Sequence, residues 1–249
     1  MKYRAIRMAA IVGAALCCLG LPAMGQQLVS VQFTGGYSTT FANSDGDFGA
    51  GIYTGTVNGA ATPGIICDDY RDEISSGETW NANAYQASSL ASGNLDNTLF
   101  GSTIGLDGYA EIATLVSMMF GNGSTYTNGS TTITGITQSE LSSAIWYITT
   151  PGGINGLDSK ALSLVSAVES AFGTDTAKAT TYLSNLTNLW ILTPNPLTGI
   201  GNGEPQEMWT MNLSVPEGGA ALMYLLLAGL TCFGAMFYSR RPVTKPWVS

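Results

Sequence analysis

The chain has 249 residues, a formal net charge of −8 and no histidine. Without imidazole, Ser-His-Asp and Cys-His catalysis, histidine metal sites and imidazole acid–base work are excluded. Residues 26–214 hold sixteen Asp and Glu against Arg71, Lys160 and Lys178, a formal charge of −13. Such a surface lacks the cations that dominate nucleic-acid affinity, so nucleic acid is not an expected partner.

In chain order, Lys2, Arg4 and Arg7 precede an apolar stretch from Met8 to Leu21 and the small-x-small site Ala23-Met24-Gly25. These are the three parts of a secretory signal, predicted over residues 1–25. The segment that follows, 26–214, is long enough for one domain with its own core. Its first third reads as strands, "LVSVQFT", "GIYTGTV", "GIICDDY" and "ETWNANAYQ", separated by turn residues. Residues 87–108 show no periodicity and are expected to form a loop with at most a short helix.

Three helices are predicted next. In "YAEIATLVSMMF", 109–120, Ile112, Val116, Met119 and Phe120 share a face. "TQSELSSAIWYIT", 137–149, opens with a capping box of Thr137 and Glu140 and carries a stripe of Leu141, Ile145 and Ile148. "DSKALSLVSAVESAFG", 158–173, is capped by Asp158, ended by Gly173, and buries Ala161, Val165, Val168 and Phe172. A weaker fourth helix is expected over 176–186. "NLWILTPNP" and "EMWTMNLSV" return to strand character. Strands, then helices, then strands predict an α+β ectodomain whose last strands pair back with its first.

Cys67 is the one cysteine between residues 26 and 214, so no disulfide forms within that segment, and it reads as a buried apolar side chain. Asp45 and Asp47, and Asp68-Asp69 with Asp72-Glu73, carry the oxygens a hard cation needs, but the first segment lacks the complete loop with its terminal Glu. Solvated turns are the better reading, so neither a metal nor a cofactor is expected. The same clusters give no spacing that identifies a glycosidase pair. Trp80, Trp190 and Trp209 are candidates for stacking on sugars, with burial the commoner use.

Residues 220–238 carry no charge and are long enough, as a helix, to cross a bilayer. Arg240, Arg241 and Lys245 follow, which orients this end to the cytoplasm, with residues 242–249 as a short tail.

Val215-Pro216-Glu217-Gly218-Gly219, the span and Arg240-Arg241 together resemble the C-terminal sorting signal of the PEP-CTERM family. That signal, here 215–241, is recognised by exosortases in Gram-negative bacteria that make extracellular polysaccharide. Gly218 stands where the family has its second proline. The resemblance implies an exported protein, held in the inner membrane with its ectodomain in the periplasm, then processed and passed to the cell surface or beyond. Its implied partners are the exosortase-type enzyme, the membrane and extracellular polysaccharide.

A second resemblance rests on "IICDDY" and "SSAIWYIT", which look like the cysteine strand and Q-x-A-I-W helix of bacterial thioester adhesin domains. Cys67 matches the cysteine, but Ser142 occupies the glutamine position, and Gln138 lies one turn earlier, about 6 Å along the helix. This implies a related architecture without the crosslink. The resulting expectation is a non-enzymatic structural or adhesive envelope protein. A covalent adhesin using Cys67 and a secreted carbohydrate-active enzyme are the alternatives.

Overall fold

The computed structural model describes residues 26–43, 46–152, 154–197 and 205–213, together with Gly229 and Thr231. The signal peptide, the sorting residues Val215 to Gly219, the orienting cations Arg240, Arg241 and Lys245, and Asp45 lie outside them. So does the 220–238 span, Gly229 and Thr231 excepted. Among the described residues, no helix is long and apolar enough to cross a membrane.

Residues 26–213 belong to one compact unit. Its strands are β1 (Gln26–Asn43), β2 (Gly46–Val57), β3 (Ala60–Ala61), β4 (Ile65–Cys67), β5 (Thr79–Gln86), β6 (Thr125–Asn128), β7 (Thr131–Thr134), β8 (Leu189–Pro194) and β9 (Met208–Met211). Its helices are α1 (Gly101–Phe120), α2 (Gln138–Thr149), α3 (Ser159–Phe172) and α4 (Thr176–Ser184). The order is the predicted one, strands before and after a helical centre. The topology is more specific. The main sheet is antiparallel and runs β1-β5-β8-β9-β4-β2-β3, and a further β1–β2 pairing closes it on itself. The result is a barrel that leaves short β3 beside β2. The last strands therefore pair with β5 and β4 rather than with β1.

Closure depends on β1 serving two neighbours. Residues 26–32 pair with β5, while Val31 to Asn43 pair with β2, with register breaks between Phe33 and Thr39. Gly35 and Gly36, at φ 94° and 84°, supply a bend that side chains with a Cβ resist.

Alternation along the strands makes two cores. One face of the sheet turns Val29, Val31, Val57, Ile65, Cys67, Ala82, Ala84, Leu192 and Met208 into the barrel. The other turns Ile66, Ile191 and Trp209 toward Tyr109, Ile112, Val116, Leu141, Ile145, Leu164 and Val168 of the helices. Every predicted helix stripe is buried as expected, Phe120 being partly so. The Thr137–Glu140 capping box forms, and Asp158 accepts from the amides of Lys160 and Ala161.

Two stretches differ from expectation. Residues 87–108 fold into 3₁₀ turns at Ala87–Ser92 and Leu95–Asn97, and α1 starts at Gly101, eight residues earlier than the periodicity suggests. Gly105, at φ 68°, interrupts α1, which is why no continuous period runs through its first turn. Residues 125–134 form a β-hairpin closed by the two-residue turn Gly129-Ser130. That dipeptide is a hairpin signal, hidden here in a run of Thr and Ser.

The barrel and helix layers are joined by buried polar groups. Trp209 Nε1 donates to Asp68 Oδ2 at 2.6 Å, and Tyr109 donates to Glu207 Oε1 at 2.6 Å. Glu207 Oε2 accepts from the Leu99 amide at 2.8 Å and from the Thr193 hydroxyl. Replacing Trp209 by Phe leaves Asp68 buried without its indole donor and opens space in the core. A loss of about 2–4 kcal/mol is expected, measured as a lower urea midpoint with an unchanged slope.

Candidate functional site

Cys67 ends β4, and the chain immediately after it, Asp68-Asp69-Tyr70-Arg71-Asp72, is held in a tight polar arrangement. The Cys67 thiol donates to the Asp69 carbonyl at 2.8 Å, and the Asp69 amide returns a contact to the sulfur at 3.2 Å. From α2, Trp146 Nε1 donates to the Cys67 carbonyl at 3.1 Å and the Thr149 hydroxyl to the Asp68 carbonyl at 2.7 Å. Gln206, just before β9, donates to the Asp69 carbonyl at 3.2 Å. The Cys67 and Asp68 carbonyls are thereby tied to α2, and that of Asp69 to the segment before β9.

Beside this turn lies a cleft of about 350 Å³. Its acidic lining is Asp47, Asp69, Asp72 and Glu73, and its aromatic lining is Phe33, Tyr37, Phe48, Tyr53, Tyr70 and Trp146. Rings continue from the cleft into the core: Phe48 and Tyr70 are 5.1 Å apart between centroids, Tyr70 and Trp146 5.6 Å, and Trp146 and Phe41 5.9 Å. Tyr37 is 53 % exposed. Tyr53 is buried, and its hydroxyl donates to the Gly49 carbonyl at 2.6 Å. Its pKa is raised, chiefly by that burial.

The electrostatics of the turn are unusual for a surface. Asp69 is only 1 % exposed; Oδ1 accepts from the Arg71 amide at 2.9 Å, while Oδ2 has no hydrogen-bond partner among the described residues. Burial, then hydrogen bonding with the neighbouring Asp72 carboxyl, pushes Asp69 up to about 7. Burial holds Asp68 well above the usual carboxylate range, and the adjacent Glu207 adds to the effect. The Cys67 thiol is also pushed well up, first by burial and then by Asp69 and Asp68. It is a protonated, enclosed thiol, the opposite of the electropositive setting that activates cysteine.

The residues singled out in the sequence fall in different places. Asp47, Asp69, Asp72 and Glu73 come together with Cys67 in the cleft. Asp68 instead faces Trp209 and the helix layer. Among the described residues, no group of three carboxylates or thiols has the arrangement of a metal site. Cys67 and Gln138 have separate partners: Gln138 Oε1 accepts from the Ser38 hydroxyl, and Ser142 accepts from the Gly51 amide at 2.8 Å. Trp209 is fully buried and Trp80 is 7 % exposed inside the barrel, so neither offers a face to a sugar. Of the aromatic residues that line the cleft, Tyr37, Phe48, Tyr53 and Tyr70 were not legible as a group. They come from β1, β2 and the post-β4 turn, and only closure of the barrel assembles them.

No family model, curated protein or solved structure matches the chain.

Two outcomes follow from the buried carboxyls and the thiol. Glu111 is raised to about 7 by burial, then by Glu169 and Asp107, so like Asp69 it holds its proton in the folded state where the unfolded chain has lost it. Linkage then makes stability fall as pH rises from the unfolded values near 4 through about 7, and Asp68, held well above the usual carboxylate range, extends the fall to higher pH. Glu140, lowered by the Thr137 amide and Lys160, contributes in the opposite direction and only near the acidic end. The melting temperature should be several degrees higher at pH 5 than at pH 7.5, as read by calorimetry. Maleimide labelling of the native protein with peptide mapping should leave Cys67 unmodified at pH 8 and modify it in denaturant.

Proposed function

We propose that this chain is an exported cell-envelope or extracellular-matrix protein, sorted through its C-terminal exosortase-type signal. On this reading, its 26–213 domain binds extracellular polysaccharide without turning it over. The address rests on the signal-peptide pattern and on the order of Pro216-Glu217, apolar span and Arg240-Arg241. The binding role is carried by one observation, the cleft in which carboxylates and aromatic rings converge. Carboxylates accept the hydroxyl donors of sugars, the rings cover their apolar faces, and the volume lies within the range of small-ligand sites.

Binding rather than hydrolysis is favoured by the carboxyls themselves. Glycosidases hold two carboxyl groups about 5 Å or more apart, with the bond to be cleaved between them. Asp69 and Asp72 are instead only 1 % and 2 % exposed, too enclosed to flank a glycosidic bond. Non-covalent rather than covalent capture is favoured by the Cys67 thiol, which is buried and held protonated.

Mass spectrometry of the C-terminal peptide from envelope and culture supernatant tests the address. Processing near Val215 to Gly219 is expected, and a peptide running intact to Ser249 overturns it. For binding, the wild-type protein should be retained on the polysaccharide isolated from its own producing cells, and Tyr70→Ala should lower that retention at least several-fold. Equal retention of the variant removes the cleft from the account.

A further inference from the structure

Of the aromatic residues described in the cleft lining, Tyr37 alone is exposed; Phe33, Tyr53 and Trp146 are buried, and Phe48 and Tyr70 are half-buried. Its position follows from two irregularities in β1. The register with β2 slips between Phe33 and Tyr37 and again between Tyr37 and Thr39. Slips of this kind re-aim a side chain. Tyr37 stands opposite Tyr53, so the two side chains leave the same face of the sheet. Tyr53 packs into the barrel core, whereas Tyr37 is left 53 % exposed.

The orientation of the Tyr37 ring is given by Gly49. A Cβ at Gly49 would lie 2.7 Å from Tyr37 Cδ1 and 3.0 and 3.1 Å from Cγ and Cε1, the two ring atoms bonded to it. Similar distances to an atom and to both its ring neighbours belong to a point above the face, not beyond the edge. The ring therefore lies flat on the Gly49 backbone, and its opposite face is the one left exposed. Gly49 does not share the positive φ of Gly35 and Gly36. What the ring requires is its missing side chain, not an unusual backbone.

We propose that Tyr37 is the stacking platform of the cleft and that its ligand is an uncharged stretch of extracellular polysaccharide, one pyranose laid on the open face of the ring. This deepens the polysaccharide-binding reading and rests on it. A pyranose carries C–H bonds on its faces and hydroxyls around its rim. A flat aromatic ring supported from behind covers the first and leaves the second to acceptors. Asp47 and Glu73, both exposed in the cleft lining, supply acceptor oxygens for those hydroxyls. Because Gly49 already holds the ring, little side-chain freedom is lost when a sugar covers it. Charge sets the class of sugar. None of the described lining residues is basic, and the formal charge of residues 26–214 is −13. Uronic acids and sulfated or phosphorylated sugars therefore meet like charge on approach and again in the cleft.

The experiment separates the producing cells' polysaccharide by anion exchange into an unretained, uncharged fraction and a salt-eluted, acidic one. Each is immobilised, and binding of the full-length protein is measured at pH 7.5 and 0.15 M salt. Binding to the uncharged fraction and not to the acidic one is expected. Tyr37→Ala should weaken it about fivefold or more, as loss of an aromatic contact implies. Tyr37→Phe keeps the ring and should bind as the wild type does. Gly49→Ala should weaken binding as Tyr37→Ala does, because the added Cβ displaces the ring without removing it. Melting curves show which variants are folded, and the Ala and Phe variants of Tyr37 decide the matter if Gly49→Ala is not. Equal or stronger binding to the acidic fraction overturns the uncharged class while leaving a polysaccharide cleft. Wild-type affinity in folded Tyr37→Ala overturns the platform, and a loss in Tyr70→Ala then shows that the broader reading survives without it. Binding to neither fraction overturns both.

Discussion

The architecture depends on the seam where β4 meets β9 under the helix layer. Ile65 and Cys67 enter the barrel, Ile66 enters the helix core, and Asp68 follows them into a site with no access to water. A carboxyl there is tolerated because Trp209 supplies an indole donor and because burial keeps it protonated beside Glu207. Glu207 in turn gathers Tyr109, the Leu99 amide and Thr193. Buried polar groups are costly unless each finds partners in a defined direction, so this network fixes how α1, β8 and β9 meet more tightly than apolar packing alone.

The same constraint shapes the cleft. With Asp68 drawn inward, its neighbour Asp69 is among the residues that line the cleft, and the chain leading into Tyr70 is held at the Cys67, Asp68 and Asp69 carbonyls by Trp146, Thr149 and Gln206. Binding surfaces built on a rigid frame lose little entropy when a ligand arrives. Here the frame consists of a closed sheet on one side and α2 on the other. Within that frame the Cys67 thiol is enclosed and stays protonated.

Local order was read well where one physical rule acts within a few residues. The stripe Leu141, Ile145 and Ile148 is a matter of helical period, and the Thr137–Glu140 box of reach across one turn; both are present. Residues 87–108 were harder, because 3₁₀ turns have no amphipathic period and Gly105 interrupts α1. The hairpin turn was available from the Gly129-Ser130 dipeptide, but the threonine-rich flanks carry no apolar alternation to mark them as strands.

For the cleft, composition supplied the acidity and the lack of histidine, and "IICDDY" supplied the segment at its centre. Those properties belong to the chain alone, because charge and side-chain chemistry do not depend on how it folds. Which carboxylate faces the cleft and which is buried, and which aromatic residues join them, was decided by tertiary structure. Asp68 and Asp69 are adjacent and chemically identical, yet one meets Trp209 and the other lines the cleft. That difference comes from the closure of β1 on β2 and the pairing of β4 with β9, long-range contacts whose free energy no local pattern of residues encodes.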